Sequence, residues 1–133
     1  MTRISIVSFF AFFLLNMPYL SAQSAESMNG MHTNKLRHVV LFSFTDETSA
    51  SEIKSIEKAF AELPSKIDLI TDFEWGTNNS PEGLDKGFTH CFLLTFDSEA
   101  DRDAYLPHPA HQSFVSMLDG HVKDVTVVDY WVE

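Results

Sequence analysis

Cysteine is nearly missing: Cys91 is the only one, so no disulfide can form within the chain. Basic residues are scarce too, with 9 lysines and arginines against 19 acidic residues and a formal net charge of -10 at pH 7. A surface of that sign repels phosphate backbones, and no basic stripe offsets it, which argues against nucleic acid as a partner. Glycine is limited to 5 residues. Neither Gly83 nor Gly87 opens a helix, so a nucleotide cradle is not supported. No nucleophile elbow or cofactor fingerprint occurs, and no cofactor is expected. The uncharged run from Ile4 to Leu15 falls short of the roughly 20 apolar residues that a membrane-crossing helix needs.

What that run does fit is a secretory signal. Arg3 supplies a basic start, the apolar stretch follows, and Ser21, Ala22, Ser24 and Ala25 provide small residues for cleavage. Its 4 phenylalanines, with no polar face, give a buried helix no stripe to present. No cysteine follows the run, which argues against a lipid anchor. The expected organisation is a signal peptide over 1–24, a polar, flexible leader over 25–35, and one folded domain over 36–133. After signal removal no stable membrane insertion is expected. The protein is then exported, to a periplasm or outside the cell.

The folded part alternates strands and helices. Leu36 to Phe44 is rich in β-branched and aromatic residues and reads as a strand. Ser49 and Glu52 form a capping-box pattern, and Ile53, Ile56, Phe60 and Leu63 follow at helical spacing, with Pro64 marking the end. Leu69 to Trp75 reads as a second strand closed by Gly76. Turn formers fill Thr77 to Lys86, and His90 to Phe96 is a third strand. Ser98 can cap a short helix ending near Tyr105, where Pro107 and Pro109 interrupt. A further helix from Ala110 carries Phe114, Met117 and Leu118, and Val122 to Val132 is the last strand. Cys91 is expected as a small buried hydrophobe, and Trp75 and Trp131 as packing residues. The order β-α-β-β-α-β suggests an α+β, ferredoxin-like split βαβ arrangement. Helices on one face leave the other uncovered, and a second copy is the simplest cover.

Three segments resemble the stress-responsive dimeric α/β-barrel (Dabb) family. They are His38-Val39-Val40-Leu41-Phe42-Ser43-Phe44, the loop Asn79 to His90, and Tyr105-Leu106-Pro107-His108-Pro109-Ala110-His111, followed by Phe114 and the Asp124 to Tyr130 strand. The resemblance implies a four-stranded antiparallel sheet in the order 4-1-3-2, and a homodimer that encloses a dimeric α+β barrel. It implies no single reaction. Through its plant branch the family is similar to polyketide cyclases, in which a tyrosine and a histidine around a His-Pro-Ala-His motif carry the chemistry. The matching positions are Tyr105 and His111.

That pair is chemically sensible. In the first turn of a helix the macrodipole keeps the His111 ring neutral, fit to act as a general base, while Tyr105 donates to a developing enolate oxygen. An equally concrete reading is structural. His111 or His108 holds a backbone group left unpaired by the prolines, and Tyr105 is a core aromatic whose hydroxyl reaches the surface. His38 and His90 open their strands on the same faces as Phe42 and Phe92. Each is placed to line one mouth of a pocket, with Phe42, Phe92 and His108 as further lining residues, or to be a satisfied histidine at a strand end. His108 and His111 are three apart, but Pro109 lies between them and no partnering carboxylate stands nearby, so no metal is expected. Three functions stay open. They are a barrel that binds a small apolar or aromatic molecule, a cofactor-free cyclase or isomerase, and a stress-protective dimer without ligand.

Overall fold

The computed structural model describes residues 34–133; the expected signal peptide and nearly all of the expected leader lie outside the described residues. The elements are β1 (Leu36–Phe44), α1 (Ala50–Ala61), α2 (Leu63–Lys66), β2 (Asp72–Thr77), β3 (His90–Phe96), α3 (Glu99–Tyr105), α4 (Pro109–Met117) and β4 (Val122–Trp131). The four strands form one sheet in the order β2-β3-β1-β4, and every neighbouring pair is antiparallel. This is the ferredoxin-like α+β fold, with the expected strand order.

Alternation along β1 decides which face is buried. Leu36, His38, Val40 and Phe42 are buried beneath the helices, while Arg37, Val39 and Leu41 point the other way. Helix α1 begins where the capping box placed it: the Ser49 hydroxyl accepts from the Glu52 N–H, and the Glu52 carboxylate accepts from the Ser49 N–H. Its Ile56 and Phe60 are buried, and Leu63 continues the stripe from α2. Phe60 stacks on Phe92 at 4.1 Å between ring centroids and also touches Phe42, Phe73 and Phe114. Burying one such ring contributes on the order of 2 kcal/mol, so this cluster fixes α1 and α4 on the sheet.

Four local expectations are corrected. Pro64 does not end the helical region, because it sits in the first turn of α2, where its missing N–H costs no hydrogen bond. The second strand starts at Asp72 rather than Leu69, since Ile70 is buried in a turn whose N–H bonds to the Ile67 carbonyl, and Gly76 lies inside the strand. Cys91 is exposed on the face away from the helices. Trp75 and Trp131 are exposed as well, at 39% and 41%, because β2 and β4 are the sheet edges and reach past the helical cover.

The face opposite the helices carries Val39, Leu41, Cys91, Leu93, Val128 and Tyr130, by the strand register. No element among the described residues covers it. On the helical side β4 is also left open: Val125 and Val127 point toward the helices yet remain 43% and 50% exposed.

Candidate functional site

The open side of β4 is one wall of a cavity of about 490 Å³, bounded by β1, α3 and α4. That volume is within the range of small-molecule sites. Its apolar surface comes from Val40, Phe42, Phe60, Phe114, Val125 and Val127. Its polar groups are His38, Tyr105, His111, Arg102, Asp103 and Asp129.

Tyr105 ends α3, and His111 lies in the first turn of α4. The Pro107-His108-Pro109 break turns the chain between them, so the two rings meet at 4.3 Å between centroids. His108 caps α4, its Nδ1 accepting from the Ala110 N–H at 3.2 Å. With that N–H committed, the Leu106 carbonyl is served by side chains: His111 Nδ1–H donates to it at 2.8 Å and the Gln112 amide at 2.7 Å. The structural role foreseen for His111 is therefore present, and it has a chemical consequence. A ring whose proton is held on Nδ1 leaves Nε2 as a lone pair.

Electrostatics point the same way. Burial holds His111 below the ordinary imidazole value, although the bond to the Leu106 carbonyl works in the opposite direction; His38 and His108 add to the depression. Burial pushes the Tyr105 phenol well up, so its hydroxyl stays protonated. Tyr105 is 1% exposed.

His38 joins this pair from β1. Its ring lies 5.9 Å from that of Tyr105 between centroids, and its Nδ1–H donates to Asp129 Oδ1 at 2.6 Å. The other carboxylate oxygen of Asp129 accepts from Arg102 Nη1 at 2.7 Å, and Arg102 also binds Asp103 at 2.9 Å. Asp129 and Arg102 were not among the residues singled out from the sequence. A signal for Asp129 existed: it interrupts a valine-rich strand on the same face as Val125 and Val127. In the β1–β4 register it stands directly opposite His38.

The other expected pocket residues divide. Phe42 lines the cavity with His38. His90 and Phe92 do not, because β3 carries them to the far side of β1. His90 Nε2 there meets the Glu57 carboxylate of α1 at 3.0 Å, and Phe92 is packed under Phe60. His108 faces its own helix as a cap rather than the cavity. Among the described residues no group of three or more histidine, cysteine, aspartate or glutamate side chains is placed to hold a metal ion.

Comparison with known proteins gives four relevant matches. The family described as the stress responsive A/B barrel domain matches residues 36–132. The stress-response A/B barrel domain-containing protein HS1 of Arabidopsis thaliana is 38% identical over 95 residues, which is 71% of this chain and 87% of that protein. Olivetolic acid cyclase of Cannabis sativa is 25% identical over 95 residues, 71% of this chain and 94% of the cyclase. A dimeric Bacteroides fragilis protein of unknown function, with a ferredoxin-like fold, superposes with a TM-score of 0.61 at 27% identity. That match covers 74% of this chain and 96% of the other.

Proposed function

The chain belongs to the stress responsive A/B barrel domain family, and from that premise we propose that it is a homodimeric barrel whose protomers each bind a small apolar or aromatic molecule. The observation that carries this reading is the cavity of about 490 Å³, largely apolar, with Tyr105, His111 and His38 converging on it. Titration with an uncharged naphthalene fluorophore tests it. The wild type should bind at micromolar concentration. Val127→Trp, which fills the open wall without entering the core, should weaken binding at least about tenfold, roughly 1.4 kcal/mol. Equal binding by both proteins sinks the assignment to this cavity.

A second reading is favoured by the His38–Asp129 pair. A carboxylate that fixes the imidazole tautomer is the arrangement of a general base, and the Tyr105 hydroxyl is placed to stabilise an enolate oxygen. The reaction would be a cofactor-free proton transfer beside a carbonyl, as in a cyclase or isomerase. The similarity to olivetolic acid cyclase supports that class. Deuterium exchange at the carbon next to the carbonyl of a bound ketone, followed by NMR, should run faster in the wild type than in Tyr105→Phe. Exchange no faster than in buffer ends this reading.

Export is proposed on the N-terminal pattern of Arg3, the apolar run and the small residues near Ala22. The exported protein should begin between Gln23 and Glu26 when its terminus is sequenced. A terminus at Met1 would refute cleavage.

A further inference from the structure

We propose that the cavity selects an uncharged ligand carrying both a hydroxyl donor and a carbonyl acceptor, and that it rejects carboxylates. This rests on the reading of the cavity as a binding site and adds the chemistry of its occupant.

The first observation is the balance of donors and acceptors. His38 spends its Nδ1 proton on Asp129 and His111 spends its own on the Leu106 carbonyl. Each of these two cavity-lining rings is thus left with Nε2 as its uncommitted nitrogen, an acceptor whenever the ring is neutral. The Tyr105 hydroxyl hydrogen-bonds to nothing among the described residues, yet no buried side-chain nitrogen or oxygen there lacks a partner. In a residue only 1% exposed, that oxygen must border open space, and the open space Tyr105 lines is this cavity. The site thus offers two acceptors and one hydroxyl. A ligand bringing only a carbonyl satisfies the tyrosine and leaves two desolvated imidazole nitrogens unpaired. One that also brings an O–H satisfies a histidine as well.

The second observation concerns charge at the rim. Among the described residues Arg102 is the one lysine or arginine bordering the cavity, and its guanidinium is already engaged: Nε and Nη2 lie at 3.0 Å and 2.9 Å from Asp103, and Nη1 at 2.7 Å from Asp129. Two carboxylates thus face one guanidinium. A ligand carboxylate would meet net negative charge and find no uncommitted cation to offset its desolvation. Specificity here comes from an unfavourable encounter as much as from a favourable one.

Three naphthalenes of similar size separate these contributions: 6-hydroxy-2-acetylnaphthalene, its methyl ether, and 6-hydroxy-2-naphthoate. Calorimetric titration near neutral pH should find the hydroxy ketone bound at least about tenfold more tightly than either of the others. Tyr105→Phe should weaken the hydroxy ketone, and Asp103→Asn, at the exposed rim, should narrow the gap to the naphthoate. A methyl ether that binds as well as the phenol, or a naphthoate that binds as well as the ketone, overturns the proposal. If the fluorophore of the preceding section binds and the selectivity is absent, only this inference fails. If none of the four compounds binds, the cavity reading fails and takes this one with it.

Discussion

His111 carries two roles on its two nitrogens. Nδ1 serves the backbone at the proline break, while the ring lines the cavity with Nε2 left uncommitted. The first role predicts a modest loss: His111→Ala should cost about 1 kcal/mol, because Gln112 still serves the same carbonyl. The depressed imidazole adds a pH dependence of known sign. The unfolded chain takes up the proton at the ordinary value of 6.5 while the folded ring resists it. Stability that depends on the neutral ring is therefore full above about pH 6.5 and is lost as pH falls through the folded value. Melting curves at about pH 8 and pH 5 should show a smaller pH-dependent difference for His111→Gln than for the wild type. An identical difference in the two proteins would mean that the ring does not titrate through the fold. Tyr105 and His111 were legible through the resemblance carried by the His-Pro-Ala-His motif, and the proline-marked turn that they flank brings their rings together. Asp129 and Arg102 were not, because what joins them to His38 is the β1–β4 register, across 91 residues of chain.

Elements show the same division between local and distant information. Helix α1 was readable from its cap and its stripe, since capping is a contact among residues three apart. Its tie to β3 was not readable, because Glu57 looks like a surface acid in a helix and is 5% exposed. Burial raises its carboxyl, but bonds from Lys54 at 2.7 Å and His90 at 3.0 Å more than offset that, and its value is lowered overall. A lowered carboxylate contributes stability above the ordinary value of 4.5, and that contribution is lost as pH falls through the folded value. Glu57→Gln should therefore cost on the order of 2 kcal/mol near pH 7. In a domain of this size that is a fall of roughly ten degrees in melting temperature. Urea denaturation near pH 7 and again near pH 3.5 checks it: the gap between variant and wild type should close in acid. A gap of the same size at both pH values would show that the charge of Glu57 is not what holds α1 to β3.

At the scale of the whole molecule, the sheet has one face under helices and one without cover. The uncovered face presents Val39, Leu41, Leu93, Val128 and Tyr130 in adjacent rows, the last two 52% and 47% exposed. An apolar face of that extent is a place where surface is removed from water, and in a split βαβ protomer a second copy supplies a matching face. The dimeric Bacteroides fragilis relative supports this association for the present chain. It would also account for the misplaced expectation about Cys91: alternation identified a residue in an apolar row, but that row lies on the uncovered face, where the thiol is exposed in one protomer and a second copy would shield it. Val128→Arg separates the possibilities. In a lone protomer the position is at the surface, and the change should alter stability by no more than about 0.5 kcal/mol. In a dimer it places a charge inside the contact, where an unpaired cation costs several kcal/mol. Sedimentation of the wild type at micromolar concentration should give a dimer and the variant a monomer, with Cys91 reacting with a thiol reagent much faster in the variant. A wild type that sediments as a monomer would leave the apolar face without its partner, and the barrel would have to be abandoned.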